Sequence, residues 1–548
     1  MDDEEETIMK KTVKKLIPFL TTAILLTACS GQSAETTAAE SSTVSGETAA
    51  GTQAEAKNVK ETLHIAMAQQ PPSLDCHKNS TSSTLDIGRG TLFEQLVTLN
   101  ANCEAVPELC EKYELSDDNK TLTFYLRKDV KFHDGSAMTA DDVVASMNRW
   151  LDAFSTARAS VGEGVYFEKV DDYTVKISAD VSLLLFPSVV AGATQPAVIT
   201  TAAACQNEDS NGYMTEYIGT GPYKFVEWQQ DQYIKLERFD DYTPYGTEGA
   251  ADDGWNAYKT APTKYLEYDF VTESTTMEAG LETGQYDFLY GVPGDDIERL
   301  KNTDGIETVS TQAGLLGLVF NKKEGIGTDV NFRQAVNAAM DSDSLLTSKF
   351  GTNGYTLDPG YMDADEPFWQ TDAGSDNYNQ NDPEKAKEYL EKSEYNGEKI
   401  RILCSTKNHW DYVAVAMQDC LKQIGVESDI IAMDWPTYVD YRKDSTMYDI
   451  YITGFTPVPL PTLKLFFGET YPGWMTDETL GGYLDEIRDA SDMDSAKAVW
   501  EKAQAYCWDE YLPLINVGHY LNFYAYSDSM EGVNTYNGIH FWNAYETE

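Results

Sequence analysis

What the sequence withholds narrows its chemistry first. It has no Cys-x-x-Cys pair, no Gly-x-Ser-x-Gly, no Gly-x-x-x-x-Gly-Lys and no calcium loop. Its six histidines (64, 77, 133, 409, 519 and 540) never fall at His-x-x-x-His spacing. These absences remove the usual sequence grounds for a metal or redox centre, a serine hydrolase or a phosphate cradle, so no metal and no cofactor are expected. Basic residues are scarce: 41 Lys and Arg stand against 90 Asp and Glu, a net charge of −49. Phosphate contacts need clustered positive charge, which excludes nucleic acid as a partner. Long apolar runs are missing after residue 28. The longest, Val181 to Ala193, is interrupted by Ser182, Pro187 and Ser188 and reads as a buried element.

What is present begins near the N-terminus. Lys10, Lys11, Lys14 and Lys15 precede the apolar stretch Leu16 to Leu26 and the small-residue site Leu26-Thr27-Ala28-Cys29, the build of a secretory signal. Leu-Thr-Ala-Cys resembles the lipobox of bacterial lipoproteins, which makes Cys29 the expected lipidated residue and the outer face of a cell membrane the expected location. Because residues 2 to 6 are all acidic where such signals want base, Met9 is the expected start. From Ser30 to about Asn58 the chain is mostly Ser, Thr, Ala, Gly, Glu and Gln without an aromatic residue, so it reads as a tether that cannot offset its ordering entropy. The remainder, 59 to 548, is too long for one core and predicts two to three lobes. Of eight cysteines, lipidation of Cys29 leaves an odd seven. Cys103 and Cys110 are near enough to pair, but buried free thiols are the expectation for most of the set.

Local patterns then place elements. Leu122, Phe124 and Leu126 alternate as in a half-buried strand, and Val130 to Phe132 reads as a second short strand ending in the turn Asp134-Gly135. Thr139 to Asp142 forms a capping box that opens a helix carrying Val143, Val144, Met147 and Trp150. His133 beside Asp134 offers a general-base pair on paper, but with no nucleophile motif the turn reading prevails. Gly219 to Pro222 feeds a hairpin, 223 to 228 and 233 to 239. Helices are expected at 331–340, with Phe332, Val336 and Ala339 on one face, at 383–390 behind Asp382-Pro383, and at 411–424; strands are expected at 400–404 and 426–433. Alternating strands and helices predict an α/β class with a substantially parallel sheet, whose carboxyl-edge loops are the natural ligand site.

Several segments together resemble solute-binding protein family 5, which contains the dipeptide and oligopeptide receptors of ABC importers. They are Leu63 to Ala66, Pro72 to Asp75, Leu92 to Val97, Pro107 to Leu109, Leu126 to Gly135, Thr139 to Val143, Gly219 to Phe225, Phe320-Asn321 and Phe332 to Asp341. The resemblance implies a periplasmic-binding-protein-like α/β fold: two lobes joined by a hinge, with a small extra domain inserted in the first. It places domain I at 59–96, 216–312 and 513–548, domain II at 97–215 and domain III at 313–512. It further implies a non-enzymatic monomer that captures a small molecule or short peptide and hands it to a membrane permease.

In the resembled family the segment matching Trp435 to Arg442 and the strand end matching Tyr451 to Thr456 flank the cleft, and the strand end pairs with an extended peptide together with the region of Gln69 and Gln70. The carboxyl-edge loops are also rich in aromatics, at His409-Trp410, Trp435 to Tyr438, Phe455, Phe466-Phe467 and Trp474, and the candidate ligand contacts are Gln69, Gln70, Tyr355, His409, Trp410, Trp435, Tyr438, Arg442, Gly454, Phe455, Thr456 and Trp474. Peptide receptors of the family carry an aspartate shortly after the Gly-aromatic pair, where it meets the ligand's ammonium; Gly454 to Pro461 holds no carboxylate. No arginine lies between Arg333 and Arg401, which leaves Arg442 as the nearest candidate for an anionic group. A peptide or peptide-like ligand thus stands first and a neutral oligosaccharide second, ahead of a metal-chelate receptor or a two-carboxylate surface hydrolase.

Overall fold

The computed structural model describes residues 58–250 and 253–547. The signal segment, Cys29 and nearly all of the tether lie outside the described residues. Among those described, no helix is long and apolar enough to cross a membrane.

The expected α/β class holds. One large sheet runs, edge to edge, through the strands Ser428–Met433, Ile400–Ser405, Ile450–Phe455, Ile306–Phe320, Leu514–Ser527, Phe288–Tyr290, Thr62–Met67, Tyr265–Phe270, Tyr233–Arg238 and Tyr223–Gln229. Parallel pairing occurs in both halves: Ile400–Ser405 lies parallel to both of its neighbours, and so does Thr62–Met67. The buried strands carry near-continuous apolar runs, Ile400 to Cys404 and Ile450 to Phe455, as two-sided burial requires.

The two longest strands, 15 and 14 residues, join the halves and escaped the sequence reading. Ile306 to Gln312 pairs antiparallel with Ser527 to Leu521, and after a register shift Gly314 to Val319 pairs with Tyr520 to Leu514. Gly314 sits at that shift with φ 152°, and a Cβ there would stand 2.3 Å from the Phe455 carbonyl oxygen. Only glycine accepts both conditions. Strand Leu514–Ser527 therefore pairs along nearly the whole of Ile306–Phe320, with a register shift at Tyr520 and Leu521.

A separate four-stranded antiparallel sheet is built from Cys110–Leu115, Thr121–Leu126, Thr174–Ser178 and Phe167–Asp171. Helix Ala140–Ala153 covers it with Val143, Met147 and Trp150, all buried, and the capping box forms as expected, with Asp142 accepting from the Thr139 backbone N–H at 3.0 Å. Arg149 on this helix donates to both oxygens of the fully buried Asp75, at 2.9 and 2.7 Å. Lys259 bonds Glu94 at 3.1 Å and Glu108 at 2.6 Å, all three buried. These closed charge groups pin the segments around the small sheet to the large one, since breaking a buried pair leaves an uncompensated charge.

One local expectation is corrected. Val130 to Phe132 makes only an isolated bridge, Lys131 to Ala137, because the chain turns back through Asp134-Gly135 before a ladder can extend. His133 is structural: its ring contacts the Gly221 carbonyl at 3.0 Å and accepts the Gly219 N–H at 3.1 Å, and burial pushes its pKa down to about 4. The seven described cysteines are free thiols. Cys103 donates to the Asp365 carbonyl at 2.8 Å while Cys110 is buried in the core, so these two are not bridged.

Candidate functional site

The crossing of the two long strands carries a cavity of about 730 Å³. Its size falls within the ~300–1,000 Å³ of small-molecule sites. Thr311, Gln312 and Ala313 from one crossing strand and Asn522 and Tyr524 from the other form its floor. Met67 to Gln69 follow the end of the first strand and face it together with Ser80 to Ser83, Asp86 and Tyr290. Lys407, Asn408 and Thr456 to Pro459 follow the carboxyl ends of Ile400–Ser405 and Ile450–Phe455 and close it from the other half. Ligand sites at carboxyl edges follow from strand and helix connectivity in open α/β sheets.

The cavity continues into a more apolar chamber of about 350 Å³. Both are bordered by Ser80, Ser82, Leu85, Thr194, Thr456, Val458 and Pro459, and the second adds Phe154, Val189, Leu463 and Leu465.

Charge in the main cavity is mixed. Arg89, 4% exposed, donates to the carbonyls of Ala193 and Asn537, the latter at 2.9 Å, and lies 3.7 Å over the Trp255 ring. Burial pushes the Asp86 carboxyl up to about 7 and the Glu366 carboxyl up to about 8. Four polar atoms of lining residues are buried without a protein partner: Arg89 Nε, Gln312 Oε1, Glu366 Oε2 and Asn537 Nδ2. Leaving such groups unpaired costs about 1–3 kcal/mol each, and a polar ligand would recover part of that cost.

The structure brings Gln69 and Thr456 together on opposite walls of this cavity. It does not place the other candidates there. Gln70 turns outward, donating to Asp231 at 2.6 Å and accepting from Trp228 at 3.2 Å. Tyr438 is fully buried with its hydroxyl on the Ile452 carbonyl at 2.9 Å, and Phe455 packs on Phe466 at 4.9 Å, 4% exposed; both are core residues in this state. Arg442 lies over the rings of Tyr438 and Tyr471, 5.8 and 5.4 Å away, so aromatic packing rather than an anion holds it. Gly454 is small because a Cβ would meet the Tyr520 hydroxyl at 2.4 Å.

His409 stacks on Tyr412, and Trp410 packs edge-on against Phe350 and Tyr520, so each serves the start of helix Trp410–Gln423. Tyr355 bonds Thr347 at 2.8 Å, and Trp474 stacks on Tyr448. Trp435, 40% exposed, lies 5.7 Å from the Lys407 ammonium and so approaches the rim only indirectly.

Sequence reasoning missed Asp86, Arg89, Tyr290, Glu366, Asn522, Tyr524 and Asn537. Asn522 and Tyr524 share one face of a strand at i and i+2, a usable signal once that strand is recognised. The remainder come from four separate segments of the chain and carry no local pattern.

Residues 104–474 match the family model for bacterial extracellular solute-binding proteins, family 5 Middle. The chain is 25% identical over 477 residues to the dipeptide-binding protein DppE of Bacillus subtilis, covering 81% of this chain and 84% of the relative. It is 25% identical over 527 residues to the oligopeptide-binding protein OppA of the same organism, covering 89% and 93%. A dipeptide-binding protein from Pseudoalteromonas sp. SM9913, solved with Met-Leu, superposes with a TM-score of 0.69 at 22% identity, covering 89% of this chain and all of that one. The likeness identifies the fold as the two-lobed one of periplasmic binding proteins. With more than half of its length matched, the chain belongs to family 5 of the bacterial extracellular solute-binding proteins, a family of ligand-binding substrate receptors and not of enzymes.

Proposed function

We propose that this protein is the receptor of an ABC importer and captures a peptide or peptide-like solute between its lobes. It acts as a monomer held to the outer face of the membrane by acyl chains on Cys29, with residues 30–58 as the tether. Domain I comprises 59–96, 216–312 and 513–548, domain II 97–215 and domain III 313–512, with the hinge in the two crossing strands. Ligand favours the closed arrangement, and a permease reads the difference between closed and open.

The observation that carries this reading is the cavity of about 730 Å³ at the strand crossing, with contributions from both halves and unpaired polar atoms in its walls. The second, more apolar chamber suits an elongated solute with side chains. A sugar receptor would stack its ligand on aromatic faces, and among the described residues only Tyr290 and Tyr524 of the main cavity's lining are aromatic. Peptide therefore ranks above oligosaccharide.

A thermal-shift screen with peptides of two to six residues and with neutral oligosaccharides tests this. A peptide at a hundred times its Kd adds about 2.7 kcal/mol of stability. Stabilisation by sugars alone refutes the peptide reading. With a ligand in hand, Gln69→Ala and Thr456→Ala weaken binding severalfold by isothermal calorimetry, whereas Trp474→Ala, outside the cavity, leaves affinity within twofold of wild type. The reverse pattern would move the site.

A further inference from the structure

We propose that Glu366 receives a cationic nitrogen of the bound solute, an ammonium such as the N-terminus of a peptide. The proposal rests on the solute-receptor reading above and assigns the charge that the ligand must bring.

Glu366 borders the main cavity, is 2% exposed, and buries Oε2 without any partner. None of the described cations that border or flank the cavity forms an ion pair with it. Lys464 bonds Asp363 at 2.8 Å, and His519 bonds Asp363 at 3.0 Å and the Gly360 carbonyl at 2.9 Å. Arg89 donates to the carbonyls of Ala193 and Asn537, and Lys407 lies over the Trp435 ring. Among the described residues no ion pair reaches Glu366, and none reaches Asp86, the other carboxyl of this cavity.

An ionised carboxylate in such a place costs several kcal/mol unless a cation joins it. Burial raises this carboxyl to about 8, with the negative charges of Asp363 and Asp365 acting in the same direction and the Cys103 thiol and the Lys464 ammonium opposing them. An ammonium entering the cavity supplies the missing partner and the donors for the lone pairs. The loop Gly454 to Pro461 has no acid to do this. Glu366 reaches the same cavity from the other side of the sequence, on the segment that Asp363 anchors, and so can take over that task.

The test compares four probes by thermal shift and calorimetry on wild type and Glu366→Gln: a tripeptide library with free amines, the same library N-acetylated, amino-oligosaccharides from deacetylated chitin, and neutral oligosaccharides. The expected result is stabilisation by free-amine tripeptides, none by the acetylated set, and at least tenfold weaker binding in Glu366→Gln. The apo variant should melt no lower than wild type, because it loses an unpaired buried carboxyl. Equal binding of free and acetylated tripeptides overturns the Glu366 assignment and leaves the peptide reading intact. Binding of amino-oligosaccharides alone, lost in Glu366→Gln, removes the peptide reading and keeps the assignment. Binding of neutral sugars alone, or of none of the four probes, overturns the assignment. If the variant does not fold, the free against acetylated comparison on wild type decides.

Discussion

Asp363→Ala is expected to cost about 3–5 kcal/mol in urea denaturation at pH 7, the range for breaking a buried charge pair by removing one partner. Asp363 is fully buried between the Lys464 ammonium, 1% exposed, and the His519 ring, also fully buried. The three residues come from the 358–366 loop, the segment after strand Ile450–Phe455 and the long strand Leu514–Ser527. Burial alone would raise the Asp363 carboxyl, but Lys464 and His519 overcome it and hold it well below the usual carboxylate range. Burial would likewise lower His519, and Asp363 reverses that, so its pKa is raised.

The signs follow. The depressed Asp363 contributes stability that is present above its unfolded value near 4 and is lost as pH falls through its folded value. The raised His519 contributes stability that is present below about 6.5 and is lost as pH rises through its folded value. The Asp363→Ala penalty should therefore hold from pH 6 down to about 4 and shrink below that. A double variant, Asp363→Asn with Lys464→Met, should cost less than the sum of its parts, because neither partner is left charged alone. A single-variant cost under about 1 kcal/mol would mean that the cluster does not hold this loop.

Gly314→Ala is expected to destabilise by about 2–6 kcal/mol, combining the ~1–3 of overpacking with the ~1–3 of a strained backbone angle. The added Cβ would sit 2.3 Å from the Phe455 carbonyl oxygen and 3.0 Å from the Tyr520 hydroxyl, and the first is backbone in a paired strand that cannot step aside. Gly481→Ala is the control. It lies in helix Glu478–Arg488 with open space around the missing Cβ, so alanine there should gain about 0.5–1 kcal/mol. Equal effects at the two positions, measured by chemical denaturation, would remove the special role of residue 314.

Much of the scaffold was legible because its signals are local. The capping box at Thr139, the hairpin that starts at Tyr223 and the amphipathic helix after Trp410 each need only a few consecutive residues, and all three appear where expected. The family was legible for the same reason, through short motifs in order. The long strands were not. Ile306–Phe320 mixes exposed Glu307 and Ser310 with a wholly buried run from Gly314, so no single periodicity covers it.

The site was read poorly for a related cause. Aromatic clusters such as Tyr438, Tyr448 and Tyr451 mark a core as readily as a cleft, and here they pack on one another. Many of the residues that border the cavity are Gln, Asn, Ser, Thr and isolated acids, whose meaning depends on partners far along the chain.

The antiparallel pair Ile306–Phe320 and Leu514–Ser527 also limits how this protein can be divided. Each strand serves as the central rung of both halves, so any cut that isolates one half strips it of backbone partners and bares two raw edges. Grafting the specificity of a relative onto this scaffold would succeed by exchanging the loops at strand ends. Swapping whole lobes would yield halves that cannot fold alone.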